Sequence, residues 1–348
     1  RSASLGRVYG DLGFQDLALV EGWNSVNTDA SNHSAHRFLA DSYAALPRHE
    51  VARVSELFQS QMLQPLNTTP IQPRLGESNL FLISAGGPSS LSFNEFNPLF
   101  NRNGYNLQGT GLVGSDELGS GEGIVAGIYK KASFSVGYSQ FQTDGWRENA
   151  SQDDKIANVF FQAELSPKTS VQTEYRYRVR TRGDLQQRFS QHAFFPGLTN
   201  EQERNTFRVG GRHTFSPRSI LLASFTYQDS DIFTRNELDG PDFFFESTVA
   251  QESYGTVVQH LYRSRYVDVT SGFGYFNIDG ELQAHLGIFG EIQELPTIPT
   301  KFDHVNMYGY ANVKPMSNVT LTVGGSFDHL SGGLPGDGDD QLNPKVGG

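Results

Sequence analysis

The stretch that decides the fold is "SVQTEYRYRVRT" at residues 170–181. Polar and charged side chains occupy every second position from Gln172 to Arg180. The positions between them hold Val, Thr and Tyr, which are good strand formers. A period of two sends the two sets to opposite faces of a β-strand. The sequence therefore predicts a sheet with one charged face and one aromatic, β-branched face.

The same alternation recurs from about residue 105 onward, in segments of roughly ten residues, the length of a tilted strand that crosses a bilayer. The segments flank five short turns, "KKA" (130–132), "SPK" (166–168), "SPR" (216–218), "RSR" (263–265) and "KPM" (314–316). Long polar stretches separate the hairpins, at 142–155, 181–205, 229–252 and 278–304. Short turns at one end and long loops at the other are typical of outer-membrane barrels. We count about eleven strands and predict a mostly β chain, with a partial antiparallel transmembrane β-barrel at 105–348.

Composition excludes several classes of protein. The 348 residues carry a net charge of −11, so there is no basic surface for nucleic acid. Cysteine is absent, which removes disulfide scaffolds and cysteine-based zinc sites. The chain begins at Arg1, and "VGG" (346–348) resembles the opening of a twelfth strand. We therefore expect a piece of a longer protein, with the barrel cut off.

The charged face supplies the candidate pore-lining residues, which are Glu164, Glu174, Arg176, Arg178, Arg180, Arg208 and Arg212. Charge is costly against lipid and cheap in an aqueous channel. We predict that these residues line a water-filled lumen and that the opposite face contacts outer-membrane lipid. The three consecutive inner arginines of 170–181 favour an anionic or sugar-acid solute. The alternative is a soluble antiparallel sheet with one wet face.

The first 63 residues are predicted to be helical and to contain an internal repeat. Three positions recur with a spacing of 34 residues, and the repeat-packing candidates are Leu5, Gly6, Tyr9, Leu39, Ala40 and Tyr43. This period, with a helix–turn–helix at "DLGFQDLAL" (11–19), predicts the tail of a tetratricopeptide-repeat domain over 1–63. An ordinary helical hairpin is the alternative. A capping helix is expected at 49–63, followed by a Pro/Gly/Asn-rich connector at 64–104.

Two resemblances extend this interpretation. "SNHSAHRFLADSYA" (31–44), "HEVARVSELFQSQMLQPLN" (49–67) and "FNEFNPLF" (93–100) resemble bacterial proteins in which tetratricopeptide repeats precede an outer-membrane barrel. "KPMSNVTLTVGGSFDHL" (314–330) and "DQLNPKVGG" (340–348) resemble the barrel of TonB-dependent receptors. The resemblance implies the bacterial outer membrane, with the repeat region in the periplasm binding a protein partner. Between the repeats and the first strand there is too little sequence to place the TonB box or the plug domain of those receptors, which argues against TonB-driven uptake.

No motif argues for catalysis, a cofactor or a metal. "GTGLVG" (109–114) matches a dinucleotide fingerprint, but no helix follows it. Asp337, Asp339 and Asp340 could chelate calcium in an external loop, but a solvated acidic loop explains them as well. His33 and His36 are interpreted as surface or packing residues. We predict no catalytic residue, no cofactor and no bound metal.

The function predicted from the sequence is an outer-membrane pore or transporter with a periplasmic repeat domain for partner binding. It would move a polar or anionic solute, or a polysaccharide, through a charged lumen. Two alternatives stay open: a non-transporting outer-membrane scaffold or anchor with a narrow or plugged lumen, and a soluble β-rich binding protein.

Overall fold

The described part of the chain consists of four helices followed by a 13-stranded antiparallel sheet. The computed structural model describes residues 2–12, 14–44, 50–67, 101–185, 194–237, 243–316, 319–332 and 338–347. The helices are α1 (Ser2–Asp11), α2 (Gln15–Thr28), α3 (His33–Ala44) and α4 (Glu50–Leu63). The strands are β1 (Gly104–Val113), β2 (Gly119–Tyr129), β3 (Ala132–Thr143), β4 (Gln152–Ser166), β5 (Thr169–Arg182), β6 (Gly197–Ser216), β7 (Ser219–Glu237), β8 (Phe243–Arg263), β9 (Val267–Ile288), β10 (Glu291–Glu294), β11 (Ile298–Met316), β12 (Val319–Gly332) and β13 (Gly338–Gly347).

The sheet is an up-and-down meander. Each strand pairs with the next along the chain, except that the short β10 pairs with β9 alone and β9 continues to β11. Within the described residues, β1 and β13 each pair with one neighbour and form the two edges. The predicted antiparallel sheet, preceded by a small helical segment, is confirmed.

The predicted count of eleven strands is wrong. Two strands were missed, β10 and β13, and β13 begins well before the expected "VGG". Most of the predicted long loops are in fact continuations of the strands: β6 starts at Gly197, and β9 runs to Ile288. Polar residues occupy both faces of the β6 extension, so the period-two contrast fades although the backbone ladder continues. In the β9 extension the alternation persists with reversed polarity, because Ile278, Leu282 and Leu286 take the inner-face positions. The predicted connector at 64–104 lies mostly outside the described residues, as 68–100 do.

The two faces of the sheet differ as the alternation predicted. On one face of β4 the buried side chains include Asp154, Asn158 and Gln162, and on the other Val159 and Phe161 are exposed. The exposed face continues across the sheet as a band of aromatic and aliphatic side chains, among them Phe134, Val136, Tyr175, Phe207, Val209, Phe225, Phe273, Leu321 and Val323. We call the first the inner face and the second the outer face. So large an apolar surface marks a membrane or protein contact.

The four helices pack in sequence order and bury a core of their own. Gly6 lies against Phe38: a Cβ there would be 2.5 Å from Phe38 Cζ, so α1 approaches α3 closely. Leu39 and Ala40 are buried as predicted, and Tyr43 accepts a hydrogen bond from Trp23. None of the described helices is long and apolar enough to cross a membrane.

Leu5 corrects one detail of the repeat prediction, because it is exposed and does not fill a helix interface. It lies on α1, the outermost described helix, and Tyr9 on the same helix is half-buried. The predicted capping helix is α4, found at 50–63. The tetratricopeptide assignment itself stays a prediction.

Candidate functional site: the inner face and its helical cover

Helix α4 covers the inner face near the short turns. Phe58 and Met62 form an apolar cluster with Leu222 of β7 and Leu261 of β8. Gly210 of β6 makes room for them, since a Cβ at this position would lie 2.8 Å from Phe58 Cε1 and 2.9 Å from Met62 Sδ. An apolar patch on an otherwise polar wall therefore matches the apolar face of α4.

The wall also donates hydrogen bonds to backbone carbonyls of α4. The donors are Gln162 Nε2 to Gln61 O (3.5 Å), Gln172 Nε2 to Phe58 O (3.5 Å) and Arg212 Nη1 to Leu63 O (3.2 Å). The carbonyls of Gln61 and Leu63 lie in the last turn, where a helix has no internal donors left. A cation at this end also interacts favourably with the negative end of the helix dipole. The inner face of the sheet thus caps the C-terminus of α4.

A second anchor joins the α2–α3 connection to the end of β8. Arg263 Nη1 lies 2.6 Å from Asp29 Oδ1 and donates a 2.8 Å hydrogen bond to Ser31 Oγ. Burial alone would raise the pKa of Asp29, but hydrogen bonds from Ser31 and Arg263 and the charge of Arg263 outweigh burial and lower it. Arg263 immediately precedes a short turn, so both anchors lie at the short-turn end of the sheet.

The strand register places all seven predicted pore-lining residues on the inner face. Glu164, Ser170 and Arg212 form one cross-strand row, and Glu174 and Arg208 face each other in another. The other three share the phase of Glu174 along β5, and they are Arg176, Arg178 and Arg180. Sequence periodicity therefore identified the inner face.

Glu174 and Arg208 form a buried ion pair rather than part of an open lumen. Arg208 Nη2 donates to Glu174 Oε2, and Asn158 Nδ2 donates to Glu174 Oε1 at 2.6 Å. The two charged residues are 1% and 2% exposed. The guanidinium of Arg208 also lies 5.0 Å from the centre of the Phe58 ring. The expectation of water at this position is wrong, because α4 covers it.

Farther from the short turns, the arginines contact partners on neighbouring strands. Arg178 binds Asp154 through both arms of its guanidinium, Nε to Oδ1 at 3.0 Å and Nη2 to Oδ2 at 2.6 Å. Arg180 donates to Gln202 Oε1 at 2.9 Å. Such a forked pair fixes the arginine geometry as well as its charge. Asp154 was missed because the sequence at 142–155 was interpreted as loop, although its spacing continues the β4 inner face.

A buried histidine, His36, joins α3 to α4. His36 Nδ1 lies 2.5 Å from Glu56 Oε2, and His36 Nε2 lies 2.8 Å from Ala30 O. Both partners accept hydrogen bonds, so both ring nitrogens must carry a proton to satisfy them. Only the charged imidazolium form of His36 has two such protons. Burial alone would lower the pKa of His36, but the charge and hydrogen bond of Glu56, the Ala30 carbonyl and Asp29 together raise it.

Within the described residues, no group of three or more His, Cys, Asp or Glu side chains could hold a metal ion. Of the acidic residues weighed for calcium, Asp337 lies outside the described part of the chain. Asp340 is paired with His329, with 2.5 Å between Oδ1 and Nδ1.

No protein-family model matches the sequence, and no curated protein does. Solved structures similar in fold include "Copper transporter OprC" (TM-score 0.58, 11% identity, 71% of this chain and 43% of that one). The ferripyoverdine receptor of the outer membrane of Pseudomonas aeruginosa gives a TM-score of 0.57 at 12% identity, over 72% of this chain and 40% of that one. The siderophore receptor PiuA from Acinetobacter baumannii gives 0.56 at 10% identity, over 70% and 45%.

These likenesses establish the fold and nothing finer. The sheet resembles the barrel of TonB-dependent outer-membrane receptors, as the residues of 314–348 predicted. The chain spans about two fifths of the length of these structures.

Proposed function

We propose that this chain forms part of a bacterial outer-membrane β-barrel transporter that moves a polar or anionic solute, or a polysaccharide, through its lumen. The observation that carries the proposal is the separation of the two faces of the sheet. Tyr175 is 44% exposed on the outer face, and the adjacent Glu174 is 1% exposed on the inner one. An apolar outer band with a charged interior suits a wall between lipid and a lumen, whereas a soluble sheet would leave this apolar band against water.

The edge strands support the same proposal. β1 and β13 each leave one side of the backbone without a ladder partner among the described strands. Lipid does not tolerate such edges, so barrels in membranes are closed. The spanning form therefore needs a strand partner along both edges.

In this proposal the helices lie in the periplasm and close the lumen. Outer-membrane barrels direct their short turns to the periplasm, and both helical anchors lie at the short-turn end. A solute can pass only when α4 dissociates from the inner face of the sheet. A periplasmic protein that binds α1–α3, in the manner of a repeat domain, would supply the binding energy for that movement.

The lumen charge favours anions. Beyond the part covered by α4, the inner face of β5 carries four arginines in succession, Arg176, Arg178, Arg180 and Arg182. Charged side chains that line a pore set its ion selectivity. Anions should therefore permeate better than cations.

The test is single-channel conductance of the complete protein in a planar bilayer, with the reversal potential measured in a salt gradient. We expect anion preference, and a shift toward cations when Arg176, Arg178 and Arg180 are all replaced by Gln. The control is Arg102→Gln, an exposed residue before β1. An open channel whose selectivity does not change in the triple variant would refute the role of the arginines.

A non-transporting anchor is the second candidate, and the seating of α4 on the inner face favours it. A barrel closed by a docked helix and by buried ion pairs can hold the helical segment at the membrane without conducting. Absence of conductance after verified insertion, also when α4 is released by substitution, would support the anchor.

A further inference from the structure

A second feature of the lumen is a cavity that the arginine-rich wall does not reach. It lies between the helices and the inner face of β8, β9, β11 and β12, and its volume is ≈ 1090 Å³. Small-molecule sites commonly measure about 300–1,000 Å³. The strand residues that line it belong to the short-turn half of the sheet, next to the anchor at Arg263. The cavity is large enough for an extended polar ligand.

Tyr308 lies flat along the cavity wall. It pairs with Gly272 of β9, which in turn pairs with Gln259 of β8. A Cβ on Gly272 would be 2.5 Å from both Cζ and the hydroxyl oxygen of Tyr308, so the ring crosses β9 directly above this glycine. On the side of Gly272 away from β11, Gln259 Nε2 of β8 donates a 2.8 Å hydrogen bond to the Tyr308 hydroxyl. The ring therefore shows a face, not an edge, to the cavity.

Two more aromatic rings extend this surface. Tyr310 stacks with Tyr308, with ring centres 6.0 Å apart and planes inclined by 27°. Phe276 lies next to Gly255 of the neighbouring strand, where a Cβ would be 3.1 Å from its ring. We call Phe276, Tyr308 and Tyr310 the aromatic platform. Glycines opposite the rings create the space in which such rings lie against the wall.

The rest of the lining is mostly polar, and its charges are largely balanced. Its cationic side chains are largely matched by carboxylates, in the pairs Arg263–Asp29 (2.6 Å), Lys314–Asp268 and His36–Glu56 (2.5 Å). Six amide side chains also line it: Asn24, Asn27, Gln59, Gln259, Asn306 and Asn312. Amides both donate and accept hydrogen bonds, so they suit hydroxyl groups, which do the same. Lys345 is a further cation of the lining, with Nζ 5.5 Å from the centre of the Tyr310 ring. Elsewhere an anion would meet the carboxylates of the existing pairs.

We propose that this cavity binds a neutral oligosaccharide. A sugar ring has C–H groups on its faces, which pack on the electron-rich faces of aromatic rings, and hydroxyl groups at its edges. The platform and the amides offer both partners. The proposal deepens the proposed function by choosing, among the polar solutes and polysaccharides named there, a neutral oligosaccharide, and it rests on that function only for the passage of the ligand. Binding itself requires no conduction.

The test is titration of the detergent-solubilised complete protein with maltotetraose, cellotetraose and chitotetraose, by calorimetry and by saturation-transfer NMR. We expect at least one to bind with Kd between about 1 μM and 1 mM. Tyr310→Ala should weaken binding about 3- to 10-fold, the range for one aromatic contact. Gly272→Ala should weaken it too, because its methyl group displaces the Tyr308 ring. Gly309→Ala is the matched control, since a Cβ there meets nothing within 4 Å.

Three results would overturn the inference: no binding of any of the three sugars, equal binding of the anionic tetragalacturonate, or binding that neither Tyr310→Ala nor Gly272→Ala weakens. The outcomes are separable from those of the transport test. Sugar binding by a protein that conducts no ions would remove the transporter and leave this site. Conduction of ions without sugar binding would leave the transporter and remove this site.

Discussion

Removal of the Phe58 side chain should release α4 from the barrel wall. Phe58 is 3% exposed, packs with Leu222 and Leu261, and lies under the guanidinium of Arg208. Replacing a buried Phe by Ala costs about 3–5 kcal/mol, and the lost cation–π contact adds about 1 kcal/mol. At the lower end, about 3 kcal/mol raises the undocked population roughly 100-fold.

Cysteine labelling can measure this population directly, because the chain contains no cysteine. Gln172 is 3% exposed, and its side-chain amide contacts the Phe58 carbonyl, so a cysteine at 172 would lie beneath α4. A bulky, membrane-impermeant maleimide should reach it only in the undocked state, and the labelling rate then follows the undocked fraction. In the Gln172→Cys background, Phe58→Ala should accelerate labelling by about 100-fold.

The control is Leu17→Ala in the same background. Leu17 is an exposed apolar residue of α2, so its removal should leave the labelling rate unchanged. Acceleration by Phe58→Ala of less than about 3-fold, which corresponds to under 1 kcal/mol, would refute the docking argument. Equal acceleration by both substitutions would refute it as well, because it would show general loosening of the helices.

Three further substitutions test separate parts of the structure. Glu174→Gln leaves the charge of Arg208 buried without its counterion and should lower the free energy of unfolding by about 3–5 kcal/mol, measured by urea titration in micelles. Val159→Arg places a cation on the outer face and should cost about 2–4 kcal/mol, measured by folding into lipid vesicles. His36 has a raised pKa in the folded protein, so its ion pair with Glu56 stabilises the helices. This stabilisation is complete below the ordinary histidine pKa of about 6.5, and it is lost as the pH rises through the raised pKa of His36. The melting temperature of the helical segment should fall over this pH interval, and the melting temperature of His36→Gln should depend less on pH.

Each of these has a matched control. Glu117→Gln changes an exposed carboxylate and should not alter unfolding, whereas a matching loss would show that Glu174 is not special. Val159→Leu keeps the outer face apolar and should fold normally; normal folding of the arginine variant would mean that this face does not meet lipid. His33→Gln should retain the pH dependence, since burial and neighbouring cations lower the pKa of His33. A pH profile that is the same in the wild type and in His36→Gln would contradict the ion-pair argument.

The local features of this protein could be read from the sequence. The two faces of the strands followed from a period of two, because alternate residues of an extended chain point in opposite directions whatever surrounds them. Four of the five short turns and the position of α4 are equally local, and they were predicted within a residue or two. Of the fifth predicted turn, residues 314–316 belong to β11, and 317–318 lie outside the described residues. The strand ends were not predicted. Residues 197–205 are polar on both faces, and in 278–288 the alternation continues with its polarity reversed, since the apolar side chains now take the inner-face positions.

The contacts that form the candidate sites required the folded chain. Phe58 and Gln172 are separated by 114 positions, and nothing in either segment specifies that they meet. The pairing of Arg178 with Asp154, and the position of Tyr308 above Gly272, depend on how neighbouring strands are aligned, and a shift by one residue would move each side chain to the other face. Residue spacing therefore showed which side chains share the inner face. Strand register and helix docking, which join distant segments, determine which of them are ion-paired, which are covered by α4 and which form the aromatic platform.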